Sequence, residues 1–357
     1  MKTRTPYPAL GTLVVLSIAL IGALVFLPAE EPRPDERPGN VFSRTENDLG
    51  YTLKFIWKDF RGKSLQVTFP LSKQALSEAE EEFGFRQEDL DRHLEAWGTA
   101  RNEDMILALK DFVRDLIDRS GFGDHIFIEE KGPLEFTLKL SVPRDLQDKV
   151  KPAFDAIKSR LTEEHASEAK KIQEGALEEM NRYLERHGLV AEGDRFRVDY
   201  RKSVLNNTPR LRGALEALRR INEKVSLRGF LGLSLSFIQD IKYGVPPETE
   251  SDKTVLGFWV PPKVLVNNLG DCDSKGVTFA SLWLNFKAYP MVLIRIPEHM
   301  FVGLAIPSWG SEGFVINGLR YTLCEVSPLG KVPPGLVTYY SSNYLKSGRY
   351  RYELISR

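Results

Sequence analysis

Hydrophobic and polar positions alternate in the first structured part of the chain. Between Tyr51 and Lys58 the apolar side chains fall on every second residue, and the same alternation returns from Leu65 to Phe69. The two stretches are separated by the turn sequence Arg61-Gly62-Lys63. A period of two is typical of strands that bury one face. This region therefore predicts a β-hairpin.

A helical period replaces this alternation further along the chain. Acidic or amphipathic helices are predicted at 77–83, 87–97 and 104–117, followed by a second hairpin at 126–142. From Val150 to His187 apolar residues recur every three or four positions, which predicts one long, nearly straight helix with a single buried stripe. That helix is either a stalk or docking arm, or a helix packed across its own domain.

The second half of the chain predicts helices followed by strands. Helices are expected at 211–225 and 263–267, with an apolar segment at 231–238 between them, and another helix begins at Cys272. Five β segments follow, at 291–296, 300–306, 314–316, 321–326 and 349–354. The fold class is therefore α+β. We divide the chain into an α+β accessory domain at 49–190 and a second domain at 191–357.

The N-terminus has the pattern of a membrane anchor. Lys2 and Arg4 precede an uncharged run, 9–27, which as a helix is roughly 28 Å long and nearly matches the hydrocarbon core. Since Ala29 is a poor cleavage site, an uncleaved transmembrane helix at 1–28 is favoured over a signal peptide. A Pro-rich linker at 29–48 follows. The basic residues predict a single-pass protein of the inner membrane with its bulk in the periplasm or outside the cell.

Composition narrows the possible partners. The 357 residues are 42% hydrophobic and 27% charged, and 49 basic residues balance 49 acidic ones. No nucleic-acid partner is expected from zero net charge. Metal-ligand spacings, phosphate loops and dinucleotide fingerprints are absent from the sequence, so we expect no metal and no cofactor. The oligomeric state is left open.

Cys272 is placed where a nucleophile would lie. It follows Gly270 and Asp271 at the start of an apolar helix, where the helix dipole favours a thiolate. Asp271 and Asp273 flank it and can cap the helix, so we expect them, with Gly270, to have structural roles. Their negative charge opposes thiolate formation, and a cationic histidine has to compensate it.

One of the five histidines, His299, lies C-terminal to Cys272, and it opens a predicted strand. Glu325 lies on a later strand that could be its antiparallel neighbour. Alternation puts Glu325 on the face of Tyr321, with Cys324 on the other face. If Glu325 faces His299, Cys324 is expected to point away from Cys272, which argues against a disulfide.

The ordered residues Gly270-Asp271-Cys272, His299 and Glu325 resemble the transglutaminase-like superfamily, which has a papain-like cysteine fold. The segments 237–243 and 259–261 resemble the helix and loop that precede the nucleophile in that family. The resemblance covers 231–326. It implies a Cys-bearing helix packed on an antiparallel sheet, with Cys272 as nucleophile, His299 as general base and acid, and Glu325 as orienting residue. Many members have Asp where this chain has Glu325, and an acid where it has Ser274.

The expected chemistry is acyl transfer from an amide bond of a protein or peptide substrate. The backbone N–H of Cys272 would stabilise the oxyanion, with a side-chain donor from either Trp259 or Tyr243. A thioester forms and is resolved by water, as in a peptidase or amidase, or by an amine, as in a transglutaminase. Two other hypotheses stay open: a catalytically silent interaction module of the cell envelope, and a structural envelope protein with a Cys272–Cys324 disulfide.

Overall fold

A three-stranded antiparallel sheet begins the part of the chain that the computed structural model describes, residues 41–193, 195–221, 226–287, 289–306 and 313–355. Its strands β1 (Val41–Glu46), β2 (Gly50–Lys58) and β3 (Ser64–Ser72) lie in sequence order. The predicted hairpin is present as β2 and β3. Strand β1 was expected to be linker; its residues are mostly exposed and pair with β2 as an edge strand.

The predicted anchor, 1–28, lies outside the described residues. Among the helices that are described, none is both long and apolar enough to cross a membrane.

Two long helices follow the short helix α1 (Lys73–Glu81). Helix α2 (Gln87–Ser120) is continuous, although two separate helices were predicted within it. Gly98 lies between the two and costs a helix only about 1 kcal/mol. Because Leu90 and Met105 are buried on either side of it, packing holds the helix together.

The hairpin of β4 (Ile126–Gly132) and β5 (Glu135–Leu140) leads into α3 (Gln147–Arg186), the predicted long helix. Its 40 residues correspond to about 60 Å. Helices α2 and α3 pack along each other. The C-terminal end of α2, the first part of α3 and the β4–β5 hairpin share a separate small hydrophobic core.

A third hairpin and three helices connect this pair to the candidate site. They are β6 (Leu189–Glu192), β7 (Arg195–Val198), α4 (Tyr200–Asn207), α5 (Arg212–Arg220) and α6 (Leu227–Asp240). Three two-residue strands come next, β8 (Lys242–Tyr243), β9 (Thr249–Glu250) and β10 (Lys253–Thr254). Then follow α7 (Pro261–Asn267), the short strand β11 (Leu269–Gly270) and α8 (Cys272–Phe286).

The C-terminal part forms a five-stranded antiparallel sheet. Its strands are β12 (Met291–Ile296), β13 (His299–Leu304), β14 (Gly313–Ile316), β15 (Leu319–Cys324) and β16 (Arg351–Leu354), in the order β14-β15-β13-β12-β16. Helix α9 (Tyr339–Lys346) precedes β16 and was not predicted.

The two faces of this sheet pack differently. Helix α8 covers the face of Met300 and Val302, and it approaches closely at Gly276, where a Cβ would lie 3.2 Å from Met300 Sδ. The opposite face, with Phe301 and Leu323, packs against residues of α9. The protein is thus a mixed α+β structure, as predicted, with a large core shared by β2, β3, the end of α3, α6 and α8.

Candidate active site

Cys272 is the first residue of α8, as the sequence predicted. Asp271 is the N-cap residue, and its Oδ1 accepts a hydrogen bond of 2.9 Å from the backbone N–H of Ser274. Gly270 is tightly packed, since a Cβ there would lie 3.3 Å from the side chains of Ser274 and Lys275. Cys272 is 8% exposed, so the thiol lies just below the surface.

The thiol is turned toward a carboxylate. Cys272 Sγ donates a hydrogen bond of 3.2 Å to Asp273 Oδ1, and the backbone N–H of Met300 donates to the sulfur. Met300 directly follows His299, so the thiol lies beside the start of β13. Within the described ranges no hydrogen bond joins Cys272 to His299, and the connection between the two residues runs through the backbone of Met300.

The surroundings disfavour a thiolate in this state. Burial raises the pKa of Cys272 well above its usual value, and the negative charges of Asp273 and Asp271 raise it further. Burial also raises the pKa of Asp271 to about 7, with a contribution from Asp273. The favourable helix dipole expected from the sequence is therefore outweighed by desolvation and by the two neighbouring carboxylates.

Tyr200 is a site residue that the sequence analysis missed. It is the first residue of α4, and its buried hydroxyl donates a short hydrogen bond to Asp273 Oδ2. Burial and the Asp273 charge raise the pKa of Tyr200 well above its usual value, so the hydroxyl keeps its proton and donates. No signal in the sequence connects it with Asp273, which is 73 positions away.

His299 and Glu325 form the closest pair in the site. His299 Nε2 lies 2.6 Å from Glu325 Oε2, and both side chains are on the α9 face of the sheet. Burial alone would raise the pKa of Glu325, but the hydrogen bond and charge of His299 outweigh it and the pKa is lowered. An ionised Glu325 accepts from Nε2–H, which leaves Nδ1 of His299 without a hydrogen bond among the described residues.

Helix α9 holds the other oxygen of Glu325. Oε1 accepts from the backbone N–H of Thr338 at 3.1 Å, from Thr338 Oγ1 at 3.2 Å and from Ser341 Oγ at 2.5 Å. Gln239 of α6 fixes the backbone, because its Nε2 donates to the Glu325 carbonyl at 2.6 Å. The carboxylate is therefore held by His299 and by the start of α9, and its backbone is held by α6. Thr338, Ser341 and Gln239 were not predicted as site residues.

Cys324 and Cys272 are both buried and both free, so the described structure contains no disulfide between them. The predicted alternation is present, since Leu323 and Tyr321 are on the α9 face and Cys324 is on the other. The expectation that Cys324 points away from the Cys272 side is wrong. Helix α8 packs on the face of Cys324, and the cysteines differ in position along it, since Cys324 pairs with Val302 and Cys272 contacts Met300.

The structure gives different roles to Trp259 and Tyr243, the two side chains proposed as oxyanion donors. Trp259 Nε1 donates to Glu250 Oε2 at 3.2 Å, and Lys263 holds the same oxygen at 2.6 Å. The indole N–H is thus already used. The backbone N–H of Trp259 donates to Ser274 Oγ at 3.0 Å, which makes Trp259 a wall residue that supports the start of α8.

Tyr243 also lies near the start of α8. It pairs with Gly270 in the parallel β8–β11 ladder. Burial raises the pKa of Tyr243 to about 12, with further contributions from Cys272, Asp271 and Asp273, so the phenol keeps its proton beside the thiol. A neutral phenol near the nucleophile is a suitable hydrogen-bond donor to an oxyanion.

The potential metal ligands at the site are already in use. Asp271, Cys272 and Asp273 offer ligand atoms within 4.8 Å of one another. These atoms also make the hydrogen bonds to Ser274, to Asp273 and to Tyr200 described above. The expectation of no metal stays a prediction.

Comparison of the chain with protein-family models, curated proteins and solved structures finds no match.

Proposed function

We propose that the protein is a thiol acyl-transfer enzyme that acts on amide bonds of proteins or peptides, with Cys272 as nucleophile, His299 as general base and Glu325 as orienting residue. The observation that carries the proposal is the 2.6 Å contact between His299 Nε2 and Glu325 Oε2. It fixes the imidazole with its second nitrogen available, on a strand whose next residue touches the thiol.

The reaction begins when the thiol leaves Asp273 and turns to His299. This step requires the Cys272 side chain to leave Asp273 by rotation about its Cα–Cβ bond and to come within reach of His299 at the start of β13; contacts of this kind are often long before substrate binds. His299 Nδ1 takes the thiol proton, and the sulfur attacks the amide carbonyl. Glu325 stabilises the resulting imidazolium.

The remaining steps use the same groups. The backbone N–H of Cys272 and the hydroxyl of Tyr243 donate to the oxyanion. Collapse of the tetrahedral intermediate breaks the C–N bond, His299 gives its proton to the leaving amine, and a thioester remains on Cys272. Water or a second amine then attacks the thioester, His299 accepts the proton of that nucleophile, and the thiol is regenerated.

The arrangement of elements supports the resemblance to the transglutaminase-like superfamily. A helix that begins with Cys272 packs on an antiparallel sheet whose strands carry His299 and precede Glu325. Together with the predicted anchor at 1–28, this describes a membrane-anchored enzyme. Its catalytic part faces the cell envelope and acts on protein or peptide substrates there.

The test combines a glutamine-containing peptide with a labelled primary amine. Wild-type protein is expected to release ammonia from the peptide, and Cys272→Ala to release none. Labelled amine in the product identifies a cross-linking enzyme, and ammonia alone identifies a hydrolase acting on glutamine. Parallel reactions use peptides in which the amide to be cleaved is a backbone amide, so that peptidase activity is also detected. Absence of any Cys272-dependent product from both sets contradicts the proposal.

One observation favours the alternative of a silent interaction module. The thiol is held by Asp273, and its pKa is raised by burial and by two carboxylates. In a silent module the folded protein would not be alkylated at Cys272 by iodoacetamide at neutral pH, even though denatured protein is. In the enzyme, Cys272 labels in the folded state and His299→Ala slows the labelling.

A further inference from the structure

A cleft with three arginines lies beside the turn that precedes His299. Its volume is about 440 Å³, and Arg295, Arg349 and Arg351 line it together with Pro297 and Tyr350. Ligand pockets typically have volumes of about 300–1,000 Å³. The space is thus suitable for one or two side chains of an extended peptide. Neither the chemistry of Cys272 nor that of His299 uses these arginines.

The charges in the cleft are only partly balanced. Arg295 and Arg351 share one carboxylate, Glu192, at 3.0 and 2.8 Å. Arg349 has no ion-pair partner among the described residues; its guanidinium lies 5.1 Å from the ring centre of Tyr344. At the floor, Arg295 Nε is buried and makes no hydrogen bond within the same part of the chain. Positive charge that is only partly neutralised therefore lines the cleft.

The position of the cleft connects it with the candidate active site. Ile296, another lining residue, is the register partner of His299 across the β12–β13 hairpin, so their Cα atoms are roughly 5 Å apart. Arg295 also lies in the neighbourhood of Tyr200, which donates a hydrogen bond to Asp273. A substrate whose reactive amide lies at Cys272 would place a neighbouring residue near the arginines.

We propose that this arginine cleft binds a carboxylate of the peptide substrate close to the amide that reacts. Guanidinium groups present planar, paired donors that match carboxylate oxygens, and such charge-assisted bonds are stronger than neutral ones. The walls formed by Pro297 and Tyr350 contact the apolar part of the same side chain. The proposal rests on the proposed function, because it assigns a substrate class to that enzyme: acidic peptides.

The test measures binding without turnover, on the full-length chain with Cys272→Ser. Three fluorescein-labelled peptides are compared by anisotropy at 0.15 M salt: Gly-Gln-Glu-Glu-Gly amide, Gly-Gln-Gln-Gln-Gly amide, and the second sequence with a free C-terminal carboxylate. We expect at least one acidic peptide to bind about tenfold more tightly than the neutral amide. Which one does so shows whether a side-chain or a terminal carboxylate is recognised.

Matched variants separate the cleft from general charge effects. Arg349→Gln with Arg351→Gln removes two exposed charges from the lining and is expected to abolish the tenfold preference. Lys346→Gln removes an equally exposed charge from the last turn of α9, outside the lining, and is expected to leave the preference intact. Equal affinity for all three peptides, or an equal loss in the lysine variant, overturns the proposal.

The two proposals can fail separately. If acidic peptides bind through the arginines but Cys272 of the wild-type chain is inert, the enzyme proposal fails and the carboxylate-binding cleft stands. If Cys272 reacts in a His299-dependent way and the three peptides bind alike, only the cleft proposal fails.

Discussion

Replacing Asp273 with Asn is expected to make Cys272 react faster with alkylating reagents. Asp273 Oδ1 lies 3.2 Å from the thiol, and its negative charge disfavours the thiolate. Two unit charges at 3.2 Å repel each other by about 1.3 kcal/mol with the dielectric constant of water and by about 5 kcal/mol with an effective value of 20. The smaller figure already corresponds to roughly a tenfold change in thiolate population at neutral pH.

The assay is the rate of iodoacetamide labelling of Cys272 as a function of pH, read by mass spectrometry of the Cys272 peptide. Asp273→Asn should label at least about tenfold faster than wild type at pH 7 and reach half of its maximal rate at a lower pH. Asp252→Asn, at an exposed loop position, is the control and should behave as wild type. An unchanged or slower rate in Asp273→Asn would refute the electrostatic reasoning.

Three further predictions address other parts of the site. The pKa of Asp271 is raised from 3.8 to about 7, so the folded protein retains a proton that the unfolded chain has lost, and the free energy of unfolding falls as pH rises from about 4 to 7. The contribution of Asp271 to this fall is at most about 4 kcal/mol, and Asp271→Asn should remove it in urea denaturation measured across this pH range. Ser341→Ala removes a 2.5 Å hydrogen bond to Glu325 and should lower the free energy of unfolding by about 1.5–3 kcal/mol. Tyr243→Phe should slow product formation about a hundredfold while the rate of thiol labelling stays unchanged. Trp259→Phe should slow product formation less than twofold.

Each of these predictions has an outcome that contradicts it. A pH slope as steep in Asp271→Asn as in wild type would mean that Asp271 is ionised throughout the range. A loss below about 0.5 kcal/mol in Ser341→Ala would show that Thr338 holds Oε1 of Glu325 without a contribution from Ser341. Equal effects of Tyr243→Phe and Trp259→Phe on product formation would contradict the conclusion that the Glu250 contact keeps the Trp259 indole from serving as an oxyanion donor.

Local patterns in the sequence were sufficient to predict most elements of the fold. The alternation at 53–57 predicted β2 because one face of that strand is buried and the other is not. The periodic stripe from Val150 predicted α3 within a few residues at its start and within one at its end. The N-cap position of Asp271 was predicted as well, since capping depends only on residues within one turn.

The missing features depend on contacts between distant segments. Helix α9 has a polar, aromatic sequence without a clear apolar period, and its contact with Glu325 becomes visible only in the folded chain. Tyr200 of α4 contacts Asp273 of α8 directly, although 73 positions separate the two residues in the sequence. The raised pKa of Cys272 also required the fold, because burial is its largest cause and a short sequence window does not show how deeply a helix start is buried.

The rate of Cys272 alkylation across pH, in wild type and in His299→Ala, tests the central claim most directly. Folded wild-type protein should be labelled at Cys272 at neutral pH, because His299 takes the proton of the thiol. His299→Ala should strongly slow the neutral-pH labelling, because no base then takes the proton of a thiol whose pKa is raised by burial and by two carboxylates. Identical rate profiles for the two proteins would contradict the assignment of His299 as the base for Cys272.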